Sequence, residues 1–208
     1  MSNQICYEIS PTTRNPSGLT RESRKAVFAS WLCPKCRTFR PKIERIDVQV
    51  AVRPRKIPLN LVAGTGIGII HQDLLEVIGR EIVHRDLLIE DVMEPSGNRV
   101  PAFSSVRGRT RVLIRGDVTS NYARCTECGR HLYFPKGNKY VLSSALKSAA
   151  IWQSHMTGLI LNEETGCRVK EHIKTRRWRE IFVSQLAVLD APQDGRPGFG
   201  TQEEDCGQ

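Results

Sequence analysis

The sequence lacks any run of apolar residues long enough to cross a membrane. Its longest apolar stretch, residues 61–70, is interrupted by three glycines, whereas a membrane-spanning helix needs about 20 consecutive apolar residues. Residues 1–6 contain neither the basic segment nor the apolar segment of a secretory signal. We therefore expect a protein of the reducing cytoplasm, where cysteines bind metal, catalyse or lie buried rather than form disulfides.

Aromatic residues are also scarce, at 6% of the chain, while 39% of the residues are apolar and 25% are charged. This composition is typical of a soluble globular protein and argues against disorder, collagen or a coiled coil. A length of 208 residues suffices for one sizeable domain or two small ones. Two figures stand out, a net charge of +9 and a total of seven cysteines.

Strand patterns outnumber helix patterns along the chain. Helices are predicted over residues 73–78, ending before Gly79, and after the N-cap candidate Asn162, with Val169, His172 and Ile173 on its inner face. Strands are predicted over residues 43–52, 67–70, 86–93, 111–115, 122–124, 132–134 and 181–189. We expect an α+β fold, mostly β with two or three helices, in a single domain over residues 1–190, followed by a flexible tail over residues 191–208.

Two parts of the chain share an order of elements. Each part, about residues 30–95 and 120–190, contains a Cys-x-x-Cys pair and then a strand, a helix and a strand. Residue identity between the parts is low, so either a duplication or chance explains the similarity.

Four of the cysteines form two Cys-x-x-Cys pairs, Cys33 with Cys36 and Cys125 with Cys128. Two such turns that face each other form a closed tetrahedral zinc site, and Gly129 suits the positive φ often required after the second cysteine. We predict one shared structural Zn²⁺ ion. The alternatives are unrelated turns with reduced thiols and a redox pair, although neither pair opens an amphipathic helix.

The other candidate groups indicate no catalytic constellation. Residues 64–68 lack the third glycine of a phosphate-binding loop, and His84-Arg85-Asp86 lacks the remaining kinase motifs. His131 could replace a cysteine ligand or donate a hydrogen bond to a sulfur. Cys6 and Cys167 are predicted to be buried apolar groups, and Cys206 belongs to the tail. We predict a non-catalytic protein, with an enzyme of unknown type as the alternative.

Basic residues concentrate in two stretches. Arg107, Arg109 and Arg111 alternate along a predicted strand, and the second stretch contains Lys170, Lys174, Arg176, Arg177, Trp178 and Arg179. The alternation predicts three guanidinium groups on one strand face, which could contact phosphates while Trp178 stacks on a base. A solvated surface and an acidic protein partner are the other interpretations.

The order of these motifs resembles the double-CXXCG motif family of bacterial proteins, which is abundant in myxobacteria. The resemblance covers about residues 3–190 and includes Cys33-Pro-Lys-Cys36, Gly64-Thr-Gly66-Ile-Gly68, Cys125-Thr-Glu-Cys128-Gly129 and the closing strand–helix–strand. It implies a cytoplasmic protein with a zinc site built from both cysteine pairs.

Some members of that family are similar to immunity proteins, which protect a cell from a toxin delivered by its kin. We therefore expect an immunity-type protein that binds and neutralises an acidic toxin through electrostatic steering. A nucleic-acid-binding, zinc-ribbon-like regulator is the alternative. No membrane partner is expected.

Overall fold

The structure of the protein is a computed structural model, and it describes most of the chain. The described residues are 4–11, 19–30, 32–36, 48–50, 59–62, 67–118, 122–129, 131–146, 148–155, 158–178, 181–193 and 204–205.

Among the described residues strands are more abundant than helices, and there are four α-helices and one short 3-10 helix. The strands are β1 (Ile5–Pro11), β2 (Val48–Gln49), β3 (Leu59–Val62), β4 (Ile67–His71), β5 (Leu87–Met93), β6 (Arg99–Gly108), β7 (Thr110–Val112), β8 (Arg115–Val118), β9 (Tyr122–Arg124), β10 (His131–Tyr133), β11 (Lys136–Leu142), β12 (Ile151–Ser154), β13 (Leu159–Asn162), β14 (Ile181–Leu189) and β15 (Glu204–Asp205). The helices are α1 (Arg21–Ser30), α2 (Gln72–Ile78), α3 (Arg80–Asp86), the 3-10 helix Ser143–Ala145 and α4 (Glu163–Arg176). The predicted α+β class, mostly β, is confirmed.

The strands form one five-stranded sheet, one eight-stranded sheet and a two-stranded hairpin. The first sheet has the order β2-β5-β6-β4-β3, the second has the order β15-β7-β12-β13-β1-β14-β11-β8, and β9 pairs with β10. Ile181–Leu189 and Tyr122–Arg124 are strands as predicted. Of the predicted strand over residues 43–52, only residues 48–50 lie within the described residues.

The first sheet and the centre of the second sheet have the same strand order and the same strand directions. In the first sheet β6 runs antiparallel between β5 and β4, with β2 parallel to β5 and β3 antiparallel to β4. In the second sheet β1 runs antiparallel between β14 and β13, with β11 parallel to β14 and β12 antiparallel to β13. This correspondence concerns strand order, and a common origin of the two halves stays a prediction.

The two central strands come from outside the halves that they complete. The strand β1 precedes the first cysteine pair, yet it lies between strands that follow the second pair. The strand β6 lies between the halves in sequence and completes the first sheet. The first half is therefore inserted in sequence between β1 and the other strands of the second sheet.

A central apolar cluster packs the helices against both sheets. It contains Ile70 and Val106 from the first sheet, Ile9 and Leu161 from the second, and Leu74, Ile78, Val169 and Ile173 from the helices. Separate clusters cover the opposite faces, with Leu32, Ile69 and Val92 on the first sheet and Cys6, Trp152 and Leu186 on the second. Each sheet is therefore buried on both faces at its centre.

Local capping signals set the helix ends. Asn162 Oδ1 accepts a hydrogen bond of 2.9 Å from the Thr165 N–H and so caps α4 as predicted. The predicted end of α2 at Gly79 is also confirmed, because the Gly79 N–H donates to the Leu75 carbonyl at 3.1 Å. Gly166 lies early in α4 because a side chain there would overlap the Tyr7 ring.

Two further features concern the tail and the membrane. Glu204–Asp205, in the segment predicted to be a flexible tail, forms the strand β15, which runs antiparallel to β7. Within the described residues, no helix is both long enough and apolar enough to span a bilayer.

Candidate metal centre

The two cysteine pairs lie at the tips of two turns that face each other. The turn with Cys33 and Cys36 follows Leu32, which is fully buried in the apolar cluster that covers the face of the first sheet opposite the central cluster. The turn with Cys125 and Cys128 joins β9 to β10. The four Sγ atoms of Cys33, Cys36, Cys125 and Cys128 lie within 4.8 Å of one another. The fold therefore brings together the four thiols that the sequence predicts as ligands.

The distances between sulfurs of opposite turns fit a tetrahedral metal–thiolate centre. Cys33 Sγ lies 3.8 Å from Cys125 Sγ, and Cys36 Sγ lies 3.6 Å from Cys128 Sγ. Four thiolates held about 2.3 Å from a tetrahedral zinc ion are about 3.8 Å apart. Each of these contacts joins residues 92 positions apart in the chain. Each cysteine of the first turn therefore faces the cysteine at the equivalent position of the second turn.

Backbone N–H groups favour the thiolate form of the first cysteine in each turn. The Cys128 N–H lowers the pKa of Cys125 to about 6, burial opposes this change, and the Glu127 N–H adds to it. The pKa of Cys33 is lowered in the same way, first by the Cys36 N–H against burial and then by the Lys35 N–H. A thiolate is the form that binds metal, so both turns are built to supply ligands.

The second turn has the geometry that its glycine predicts. Gly129 has a φ of 73°, in the left-handed region that glycine adopts without strain. Its N–H donates to the Cys125 carbonyl at 2.9 Å, and its carbonyl accepts from Arg124 Nε at 2.7 Å. The corresponding position of the first turn, Arg37, lies outside the described residues.

The four cysteines differ in exposure. Cys33 is 0% exposed and Cys125 is 3% exposed, whereas Cys36 and Cys128 are half-buried. On the outer side of the site, Lys35 Nζ donates to Thr126 Oγ1 at 2.6 Å and so links one turn to the other. The site therefore has an enclosed inner pair of thiols and an outer pair at its rim.

Two residues anchor the second turn to the second sheet, and neither is a predicted site residue. The Tyr133 hydroxyl accepts from the Gly116 N–H at 3.0 Å, and the Tyr133 carbonyl accepts from His155 Nε2 at 2.9 Å. His155 Nδ1 accepts from the Ile114 N–H at 3.1 Å, which assigns the proton to Nε2. Since Tyr133 and His155 are 22 positions apart, no local spacing in the sequence indicates this contact.

The prediction that Arg107, Arg109 and Arg111 share one face of a single strand is wrong. Arg107 lies on β6 and is 2% exposed, and its NH2 group contacts Glu90 Oε1 at 2.5 Å. Arg111 lies on the separate strand β7, is 5% exposed, and donates to the His155 carbonyl. Only Arg109, between these strands, is half-buried. Arg107 and Arg111 are therefore interior side chains, and they form no surface with Arg109 that could track phosphates.

The second basic stretch is divided between surface and core. Arg176 and Arg177, at the C-terminal end of α4, are exposed. Trp178 is half-buried, packs against the central apolar cluster, and meets the His172 ring edge-on with 5.1 Å between the ring centroids. Trp178 is therefore part of the packing and not a free platform for a base.

Of the cysteines outside the site, one has the burial that the sequence predicts and one does not. Cys6 is buried as predicted, and burial raises its pKa to about 12. Cys167 is exposed, so its predicted burial is wrong; it lies at the start of α4, where its Sγ contacts the Tyr7 hydroxyl at 3.6 Å. Cys206, Gly64, Gly66 and the side chain of His131 lie outside the described part of the structure.

The chain matches no protein-family model, no curated protein and no solved structure. Functional conclusions therefore rest on the arrangement of the residues alone.

Proposed function

We propose that the protein is a zinc-stabilised, non-catalytic binding protein of the immunity type. The observation that carries the metal part of this proposal is the convergence of four thiols within 4.8 Å, with cross-turn sulfur distances of 3.6 and 3.8 Å. A tetrahedral set of four sulfurs is typical of zinc or iron. Four thiolates also fill the coordination sphere, so a zinc ion held by them has a structural role.

The stabilising effect follows from what the site connects. Cys33 and Cys36 come from the segment that enters the first half, and Cys125 and Cys128 come from the hairpin that is anchored on the second sheet. Structural zinc sites of this kind contribute about 10–16 kcal/mol of apparent binding free energy at neutral pH. Such a free energy is as large as the whole net stability of a typical domain, which is about 5–15 kcal/mol.

The proposed partner is an acidic toxin. The net charge of +9 and the exposed cations Lys170, Lys174, Arg176 and Arg177 along α4 support attraction to an acidic protein. The resemblance to the double-CXXCG motif family supports the immunity role. The nucleic-acid alternative drew on both basic stretches, and the burial of Arg107 and Arg111 removes the support of the first stretch.

Metal analysis of purified protein tests the zinc centre. We expect one zinc ion per wild-type chain, and we expect Cys125→Ser to lose the ion and to unfold at a lower temperature, because three thiolates no longer close the site. The matched control is Cys167→Ser, which changes an exposed cysteine and should keep both zinc and stability. A folded wild-type protein without metal, or one that holds iron, would contradict the zinc centre.

A protection assay tests the partner. The product of each adjacent gene is expressed with and without this protein, and the affinity of the purified pair is measured against salt concentration. We expect protection, and we expect Arg176→Glu combined with Arg177→Glu to slow association about tenfold or more at low salt. The matched control is Arg80→Glu on α3, another exposed arginine. Neither binding nor protection would contradict the immunity role.

A further inference from the structure

The outer thiols of the site, Cys36 and Cys128, are more exposed to solvent than the inner thiols, Cys33 and Cys125. We propose that they form a redox modification site, which a hydroperoxide converts into a Cys36–Cys128 disulfide. This inference rests on the metal centre proposed above and adds a chemical response at the same sulfurs.

Exposure decides which sulfurs an oxidant reaches. Cys33 and Cys125 are enclosed at 0% and 3% exposure, while Cys36 and Cys128 are half-buried at the rim. Hydroperoxide therefore reacts first at the outer pair.

Geometry decides which disulfide forms. Cys36 Sγ and Cys128 Sγ are 3.6 Å apart, and a disulfide bond needs them at about 2.05 Å. The Lys35–Thr126 hydrogen bond holds the two turns together next to these sulfurs, so a modest side-chain rotation closes the remaining distance. The product links the two turns and does not close a ring inside either one.

The chemistry balances with hydrogen peroxide or an organic hydroperoxide as the oxidant. One outer thiolate attacks the peroxide oxygen, so that an S–O bond forms, the O–O bond breaks and hydroxide or alkoxide leaves. The second outer thiolate attacks the resulting sulfenic sulfur, so that the S–S bond forms, the S–O bond breaks and hydroxide leaves. The two sulfurs lose two electrons in total, and the peroxide gains them.

The consequence is an exchange of one cross-link for another. After oxidation only Cys33 and Cys125 remain as thiolates, and two ligands do not close a tetrahedral site, so the metal is released. The disulfide joins the same turns, 92 positions apart in the chain. The halves therefore stay connected when the metal is lost.

Peptide mapping tests the proposal, because the sequence separates all four cysteines. Trypsin cleaves after Lys35, Arg37, Arg124 and Arg130, and a glutamate-specific protease cleaves after Glu127. Reduced, metal-loaded protein is treated with hydrogen peroxide, remaining thiols are blocked, and the digest is analysed by mass spectrometry. The released metal is followed with a coloured chelator. The matched variant is Cys167→Ser, which removes the exposed cysteine outside the site.

We expect peptide 36–37 to be linked to peptide 128–130, with the linked product and the released metal appearing together, in both wild type and Cys167→Ser. Links between Cys33 and Cys36, or between Cys125 and Cys128, would overturn the proposal, as would metal release without any disulfide. Untreated reduced protein that contains no metal contradicts the metal centre itself. Metal-loaded protein that fails to form the 36–128 link contradicts the redox site alone.

Discussion

At the scale of single residues, several ionisable side chains are buried at the centre of the sheets. Glu8 lies on the central strand β1 and is 8% exposed. Burial raises the pKa of its carboxyl group above the ordinary value of 4.5, against the opposing effects of Lys139, whose Nζ is 4.0 Å away, and of a hydrogen bond with Ser154. Folding therefore shifts the equilibrium of this carboxyl group towards its neutral form.

We expect Glu8→Gln to stabilise the protein at neutral pH. Because the folded pKa is raised, the stability associated with Glu8 is present below about pH 4.5 and is lost as the pH rises through the folded pKa. At pH 8 the free energy of unfolding should be higher in Glu8→Gln than in wild type, with little difference at pH 4. Urea unfolding at both pH values measures this.

Glu76→Gln, on the exposed face of α2, is the control and should change the unfolding free energy little at either pH. If Glu8→Gln were instead less stable than wild type at pH 8, attraction to Lys139 would outweigh the cost of burial, contrary to the direction of the pKa shift.

Residue-level prediction from sequence succeeds where the physical cause is local. The four cysteines of the site are recognised from pairs of thiols in short turns. Asn162 is recognised as the N-cap of α4, whose bond to the Thr165 N–H spans only three positions. Arg107 fails because its environment is set by Glu90, which lies on the neighbouring strand, 17 positions away. Alternation along a strand identifies residues that share a face but does not reveal which face is buried.

At the scale of secondary-structure elements, Asp86 joins the end of α3 to the start of β12. Its side chain is 3% exposed, and its Oδ2 atom accepts from the Ala150 N–H at 2.7 Å and from the Ile151 N–H at 3.1 Å. The Arg85 guanidinium also contacts both carboxylate oxygens, at 2.7 and 2.9 Å. The His84-Arg85-Asp86 sequence thus has a structural role in this fold.

We expect Asp86→Ala to lower the free energy of unfolding by about 3 kcal/mol, because it leaves two buried N–H groups without their carboxylate acceptor. The control is Asp91→Ala, which removes a solvent-exposed ion pair with Arg99 at 2.8 Å and should cost about 0–1 kcal/mol. Equilibrium denaturation of both variants measures the difference. Equal effects would show that the contacts with Ala150 and Ile151 contribute no more than a surface pair.

Element prediction from sequence is limited by contacts between distant segments. The strand β14 and the helices α2 and α4 follow from alternation and capping, but Gly166 argues against a helix when only neighbouring residues are considered. A glycine is required at position 166 because any side chain there would overlap the ring of Tyr7 on β1. The sequence shows the glycine but not the aromatic ring that requires it.

At the scale of the whole molecule, the first half of the chain is inserted in sequence between β1 and the other strands of the second sheet. The strand β1 pairs with β13 and β14 near the end of the chain, and β6 pairs with β4 and β5. The shared strand order of the sheets was not predictable from local patterns, because β1 reaches its partners across almost the entire chain. The cysteine site is a second link between the same halves.

The central apolar cluster shared by the two sheets makes a specific prediction for Ile9, a fully buried residue of β1. Ile9→Ala should lower the free energy of unfolding by about 2–5 kcal/mol, and unfolding should remain a single transition. Its side chain belongs to the central cluster, which also contains Ile70 and Val106 of the first sheet and Leu159 of the second. We therefore expect faster amide hydrogen exchange in both sheets, although β1 pairs with strands of the second sheet only.

Hydrogen exchange with mass spectrometry distinguishes this outcome from independent halves. The control is Val118→Ala on the edge strand β8, where the side chain is 51% exposed, and it should change protection little in either sheet. In Ile9→Ala, loss of protection over β13 and β14 with unchanged protection over β4 and β6 would mean that the sheets unfold separately. Loss in both sheets is expected because the central cluster, to which β1 contributes Ile9, is shared by the two halves, so opening either sheet exposes apolar surface of the other.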